Sequence, residues 1–391
     1  MHDALRLNQL HTWAQELGFS QIGVADVDLS AAEPGLLAWL AAGFQGQMHY
    51  MQAHGLKRAR PAELLPGTVS VLTARMDYLP NAAPTEWLTQ SWNALNTPGQ
   101  AYVSRYARGR DYHKVMRQRL QKLAERLQQA WGPAGCRVFT DSAPVLEVEL
   151  AQRSGLGWRG KHTLALHRGA GSMFFLGEIY LSMALPPTPA TSSHCGQCSA
   201  CIDVCPTQAI VAPYRLDARK CLSYLTIEHD GEIPEALRPA MGNRIYACDD
   251  CQLACPWNKF AQRSPLPDFD ERTVLSTPQL LQLWRWDEAT FLRHTEGSAI
   301  RRIGHTRWQR NLAVAMGNAL ASPSLSADEA QVMRATLQAD LPSLWAASPL
   351  VAEHVVWALK QSPATRPPSA VAQQQSQRPQ SQAQAGHAQQ R

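Results

Sequence analysis

Apolar residues along the chain recur at helical and strand spacings whose order sets the expected architecture. The first stretch, Met1 to Phe19, places Leu10, Trp13, Ala14 and Leu17 on one face and predicts an amphipathic helix. Short β-type runs follow at 21–25, 69–72, 137–140, 163–166 and 174–176, several rich in the branched and aromatic residues that suit a pleated surface. Between them, Asp111 to Trp131 sets Met116, Leu120, Leu123 and Leu127 in one stripe among Lys, Arg, Glu and Gln, the pattern of a helix with a core-facing side. Residues 1–190 therefore read as an α/β domain. The joint Leu185-Pro186-Pro187-Thr188-Pro189 closes it, because X-Pro units favour extended chain.

A cysteine-rich unit is expected over 191–260. A stretch rich in Leu, Ala and Trp follows over 270–361. Its segments Arg310 to Asn318 and Glu353 to Leu359 have helical spacing and predict a HEAT-like helical-repeat module. From 362 to 391 the chain is Gln, Ser, Pro and Ala with almost no large apolar residue. Such a segment buries too little surface to offset ordering entropy and is expected to be disordered.

Composition changes this picture little. With 45% hydrophobic and 18% charged residues among 391, the chain is an ordinary globular one, which excludes a fibre or wholesale disorder. The formal charge of +5 includes Arg366, Arg378 and Arg391 of the tail, so the folded part is weakly cationic; this permits a nucleic-acid partner without demanding one. No basic start precedes an apolar run, and Met173 to Leu185 is interrupted by Gly177, Glu178 and Ser182, short of the ~20 residues that span a bilayer. A cytoplasmic, non-membrane protein is expected. In a reducing compartment clustered cysteines serve as metal ligands rather than disulfides.

Eight of the nine cysteines carry the strongest chemistry. Cys195-Gly-Gln-Cys198-Ser-Ala-Cys201-Ile-Asp-Val-Cys205-Pro206 is the Cys-x2-Cys-x2-Cys-x3-Cys-Pro run of two-cluster ferredoxins, whose fourth cysteine serves the other cluster. A second set comprises Cys221, Cys248, Cys251 and Cys255, with a long insertion after its first member. By analogy with the crossed ferredoxin pattern, Cys195, Cys198, Cys201 and Cys255 hold one 4Fe-4S cluster and Cys205, Cys221, Cys248 and Cys251 the other. Cys136 is left over as a small buried residue. Zinc is the rival ligand of four cysteines, but the closely spaced run ending in Cys-Pro favours iron and sulfide.

Leu64-Leu65-Pro66-Gly67, Tyr106 to His113, Asp141-Ser142-Ala143-Pro144-Val145-Leu146-Glu147, Gly155 to Lys161 and Cys221 to Glu228, together with both cysteine sets, resemble the epoxyqueuosine reductase family to about residue 360. The resemblance implies a cobalamin-binding α/β domain, a ferredoxin-like domain with two clusters, and C-terminal helical repeats. It implies reduction of epoxyqueuosine to queuosine at the wobble position of tRNA, a reaction that takes two electrons and two protons. An external low-potential donor would feed the clusters, which relay single electrons to cobalt, and a monomer is expected.

By the same resemblance Asp141 is the proton donor, its pKa raised by burial against the corrin; an aspartate capping the next turn is the plainer reading. Asp111, Tyr112 and His113 are expected on the substrate side, His113 as a second proton-handling group, although Asp111 also suits a helix cap. Arg58, Asp141, Lys161, Ser223, Cys248 and Asp249 are implied as cobalamin contacts. No Asp-x-His-x-x-Gly stretch is present, which favours cobalamin without a protein histidine on cobalt. Arg302, Arg307 and Arg310, beside Trp308, are expected to meet tRNA phosphates; the alternative is a solvated helix face with one core tryptophan. Lys114, Arg117, Arg119 and Lys122 form a weaker basic patch. The rival readings are a reductive dehalogenase, an electron carrier without its own substrate, and a zinc-bearing tRNA-binding adaptor.

Overall fold

The structure, a computed structural model, describes residues 2–363; the disorder expected from 362 onward falls almost wholly outside the described residues. Four strands form the central sheet: β1 (Gln21–Ala25), β2 (Ser70–Asp77), β3 (Cys136–Phe139) and β4 (Phe174–Leu181). Their order is β1-β2-β4-β3, with every neighbour antiparallel. Period-two alternation assigns the faces. Ile22, Val24, Leu72, Ala74, Met76, Ile179 and Leu181 point to helices α1 (His2–Glu16) and α2 (Tyr112–Trp131), where they meet Leu10, Ala14, Leu17, Met116, Leu120 and Leu123. Val71, Phe139 and Tyr180 point the other way, to Leu150 of α3 (Glu147–Arg153). Each such side chain contributes about 1.5–3 kcal/mol on burial.

Three expected strands differ from their sequence patterns, the first being the 69–72 run, which extends to Asp77. The 174–176 run continues to Leu181 through Gly177. A Cβ there would lie 2.8 Å from Leu120 Cδ1 and 2.9 Å from Met116 Cε, so this glycine lets α2 approach the sheet. The 163–166 run shortens to Ala165–Leu166, which pairs with Trp158–Arg159 outside the central sheet. Cys136 lies on edge strand β3, partly buried rather than fully enclosed.

Beyond the sheet, α4 (Ala200–Asp203) and α6 (Asp250–Leu253) are single turns, one beside each cysteine run, and pack on one another. Between them in the chain lies α5 (Leu222–Ile227). The C-terminal helices include α7 (Gly304–Leu320), α8 (Ala327–Ala347) and α9 (Pro349–Leu359). Helix α7 is the buried axis of this bundle. It approaches α9 so closely that a Cβ on Gly317 would lie 2.5 Å from the Trp357 ring and 2.9 Å from Ala358 Cα. Leu222, Leu225, Tyr246, Trp308, Leu312, Val355 and Trp357 belong to one core. The cysteine segment and the helical bundle are thus continuous inside, despite the boundary expected near 260–270.

Arg310 corrects the expected tRNA patch. It has no exposed surface, and its guanidinium donates to the carbonyls of Leu225, His229 and Gly231 at 2.7–2.8 Å and to Asn311 Oδ1. Trp308 is likewise a core residue, stacked on Trp286 with centroids 5.8 Å apart. Arg310→Ala would leave three carbonyls without donors and should cost roughly 3 kcal/mol or more. Denaturant unfolding is expected to register that loss while the salt slope of tRNA binding stays unchanged. Unchanged stability with a shallower slope would return Arg310 to the phosphate-binding set.

Candidate active site

Asp141 follows edge strand β3 and adopts φ +46°, a left-handed conformation that aspartate tolerates better than most residues. Its N–H donates to Glu147 Oε1 at 2.5 Å, and the Ser142 N–H donates to the Thr140 carbonyl at 2.6 Å. The carboxyl, half exposed, receives the Tyr112 hydroxyl and stands 3.1 Å from His113 Nε2. The other ring nitrogen of His113 lies 2.8 Å from Asp111 Oδ1. Asp111 also caps α2 by accepting the His113 N–H at 3.1 Å, so one carboxylate serves both the helix cap and the His113 ring. Sequence candidates Asp111, Tyr112, His113 and Asp141 therefore form one hydrogen-bonded chain.

The charges in this chain are coupled. Burial pulls the His113 imidazolium down, but hydrogen bonds and charges from Asp111 and Asp141 outweigh it and raise its pKa to about 9. Both ring nitrogens face carboxylates, as a doubly protonated ring requires. Burial works to raise the Asp141 carboxyl, yet the hydrogen bonds from His113 and Tyr112 hold it below its usual range. This reverses the raised pKa expected from sequence: in this state the proton rests on His113. Glu147 goes the other way, lifted to about 8 by burial and then by the charge of Asp141.

Rings continue from the carboxyl toward the cysteines. Tyr112 stacks on Phe175 at 4.1 Å, and Tyr106 contacts both Tyr112, at 5.9 Å, and Tyr246, at 6.2 Å. Tyr246 lies two residues before Cys248. On the rim, Arg302 is about half exposed, pairs with Glu228, and acts electrostatically on Asp141. Arg307 directs its donors to the carbonyls of Ile227, Arg302 and Ile303. Of the three predicted arginines, Arg302 has the open position a phosphate contact needs. In the second patch Lys114, Arg117 and Lys122 are exposed, whereas Arg119 is held by Asp268 and the Leu17 carbonyl.

Four of the eight clustered cysteines border one cavity and the other four lie near one another. Cys195, Cys198, Cys201 and Cys255 line one cavity with Lys161, His162 and Trp257. Cys251 lies within electrostatic reach of Cys205 and Cys221, and Cys248 within reach of Cys251; Cys251 also feels Cys201 of the other set. Trp158 Nε1 and His162 Nε2 are buried without partners among the described residues, and His162 borders the first cavity. Four thiols with spare donors close by fit an anionic cluster.

For cobalamin the residues fit unevenly. Arg58 is buried beside the Asp141 loop, donating to the carbonyls of Ala143 and Tyr50 while its Nε has no partner, a spare donor suited to the amides of a large cofactor. Ser223 bonds to Cys221 and so supports the second cysteine set. Cys248 belongs to that set and touches Asp250. Two expected contacts are engaged within the protein. Lys161 braces the first cysteine loop, its ammonium on the Gly196 and Cys198 carbonyls at 2.7 and 2.8 Å. Asp249 is 2% exposed and accepts from Tyr102, Ser104 and the Arg105 N–H at 2.5–2.9 Å, which commits its carboxylate to holding that segment.

Two acidic residues near Asp141 carry no role from sequence. Glu147 closes the Asp141 motif, and Glu178 is a lone acid in an otherwise apolar strand; that placement was the available signal for the latter.

Known proteins resemble the chain over most of its length. Residues 58–142 match the family model for epoxyqueuosine reductase QueG, DUF1730, and residues 194–258 that for a 4Fe-4S double cluster binding domain. The chain is 68% identical over 353 residues to the epoxyqueuosine reductase of Alicycliphilus denitrificans, covering 90% of this chain and 97% of that one. With the Escherichia coli enzyme of the same name it shares 52% identity, over 92% of each chain. An epoxyqueuosine reductase crystallised with a tRNA-Tyr epoxyqueuosine-modified stem loop has the same fold, with TM-score 0.78 and 24% identity over 91% of this chain and 90% of that one. The Streptococcus thermophilus enzyme also gives TM-score 0.78, at 22% identity over 95% and 94% of the two chains.

Proposed function

The chain belongs to the epoxyqueuosine reductase family, and from that premise we propose that it reduces epoxyqueuosine to queuosine at the wobble position of tRNA, with Asp141 and His113 handling the proton. The observation that carries the residue roles is the Asp111–His113–Asp141 chain with its carboxyl open to solvent. Iron-sulfur clusters on the eight cysteines and an external low-potential carrier deliver electrons to a monomeric enzyme. When bound, cobalamin supplies the reducing centre for the carbon–oxygen bond.

The protein's own residues do the rest. Arg58 offers a buried donor to the cofactor beside the Asp141 loop. Arg302 holds a tRNA phosphate at the rim, while the modified base enters unstacked, as enzymes acting on a base require. The proton held on His113 at neutral pH passes through the Asp141 carboxylate, 3.1 Å away, to the epoxide oxygen. Tyr112 fixes the carboxyl through its hydroxyl and its stack on Phe175. Opening the epoxide and releasing its oxygen as water consumes two protons in all.

The pH profile tests this assignment. A group with its pKa raised to about 9 is protonated below that value, so turnover is expected to hold through neutral pH and fall as pH rises through 9. Asp111→Asn keeps the helix cap but removes one carboxylate from the imidazolium, and should move the alkaline limb down by about one unit. A limb that stays in place would remove His113 from the proton path.

A further inference from the structure

Glu178 is the buried ionisable group that the reaction as described leaves unused. It lies on β4 opposite Thr73 of β2 and Phe139 of β3, and Asp141 follows Phe139 by two residues. Its side chain has no exposed surface, and neither carboxyl oxygen has a hydrogen-bond partner among the described residues. Tyr180, next on the same face, also has a buried hydroxyl without a partner among the described residues. The charges acting on Glu178 are those of Glu147 and Asp141, both of its own sign.

No nearby cation bonds to Glu178 among the described residues. Arg75 of β2 leans toward Asp77 at 3.5 Å and over the Phe174 ring, keeping Nε and Nη1 without hydrogen-bond partners among the described residues, while Arg153 of α3 pairs with Asp26 and Glu149 and Arg137 of β3 lies over the Phe139 ring. The Thr73 hydroxyl is shared with Ser154. An isolated carboxylate in such a place costs several kcal/mol, so the group takes up a proton instead. Burial and the two neighbouring acids push its pKa well above the ordinary carboxylate value.

Three carboxyls thus run inward from the site: Asp141 half exposed, Glu147 partly buried and accepting the Asp141 N–H, and Glu178 enclosed. The outermost is the one that bound tRNA would cover, just when a second proton is required. Resting on the reduction proposed above, we propose that Glu178 and Glu147 form an internal proton store that recharges Asp141 while substrate shields it from water. Asp141 first relays the His113 proton to the epoxide oxygen; for the second proton Glu147 passes one to the Asp141 carboxylate, and Glu178 passes its own to Glu147. Solvent refills the store after product leaves. No electrons move in these steps, and each transfer leaves one carboxylate behind.

The test uses the cluster- and cobalamin-loaded full chain and Glu178→Gln, which keeps shape and burial but carries no transferable acid proton. Infrared spectra at neutral pH are expected to contain the carbonyl stretch of a protonated buried carboxyl that is missing from the variant. Single-turnover reduction of epoxyqueuosine tRNA should slow by at least about tenfold in the variant above pH 8, with tRNA affinity unchanged and partial rescue by added acetic acid buffer. A residue that only fills space would leave the pH profile as it is, and that result overturns the proposal. If the variant does not fold, an ionised Glu178 in the wild-type spectrum overturns it equally, and the protonated band with a tenfold slower Glu147→Gln supports it. Absence of turnover by the wild-type chain would instead sink the proposed reduction, leaving the infrared reading to stand on its own.

Discussion

Asp141→Asn is expected to lower turnover on epoxyqueuosine tRNA by about 10²- to 10⁴-fold, the range for loss of a general acid, with iron, sulfide and cobalamin content unchanged. Asparagine suits this test because it tolerates the left-handed backbone at φ +46° and can still accept from Tyr112. What it lacks is an acid proton and a negative charge. The second loss has its own readout: His113 is held at about 9 partly by the Asp141 carboxylate, so its titration should move down in the variant. If turnover fell without that movement, the loss would have to be traced to loop geometry rather than to proton delivery.

Cys251→Ala should abolish turnover by a different route. Cys251 interacts with Cys205 and Cys221 of its own set and with Cys201 of the other, so it stands where the two sets meet. Two intact 4Fe-4S cubes require about eight iron and eight sulfide atoms per chain, and removal of this ligand is expected to leave about half of them. The remaining iron should belong to the cube on Cys195, Cys198, Cys201 and Cys255, whose cavity does not include Cys251. Iron and sulfide analysis with an optical spectrum on one anaerobic sample would decide. Full retention of both cubes would contradict the crossed assignment, and zinc in place of iron would contradict the clusters altogether.

How much of this was legible in the sequence follows from how local each feature is. Ligand spacing within a turn is a local property, so the Cys195–Cys205 run could be read from the chain, whereas the gap from Cys221 to Cys248 left the second set to analogy. Helix α2 was equally plain, since its stripe of Met116, Leu120, Leu123 and Leu127 is buried along its length. Strand β4 was cut short at Gly177, which is a contact point with α2 rather than a break. Asp141 emerged only through its motif, because an aspartate after a strand is ordinarily a cap. Its lowered pKa required the partners Tyr112 and His113, 29 and 28 residues away.

The charged residues whose surroundings the chain order hides share one reason. Arg302 and Arg310 lie eight positions apart in one basic segment, yet one is on the rim and the other is enclosed by the backbone of residues 225–231. Only the packing of α7 into the shared core separates them. Asp249 likewise looks like a polar neighbour of cluster ligands until the strand at Tyr102–Val103 is laid beside Arg244–Tyr246, bringing Tyr102 and Ser104 onto its carboxylate. Glu178 needed the β3–β4 register before its relation to Asp141 could be seen.

The most direct measurement is nucleoside analysis of epoxyqueuosine tRNA after a single anaerobic turnover with the reduced, cluster-loaded chain, with and without cobalamin. The expected result is conversion of epoxyqueuosine to queuosine, with loss of one oxygen, only when cobalamin is bound. Unchanged epoxyqueuosine in the presence of both clusters and cobalamin, or equal conversion without cobalamin, would contradict the account.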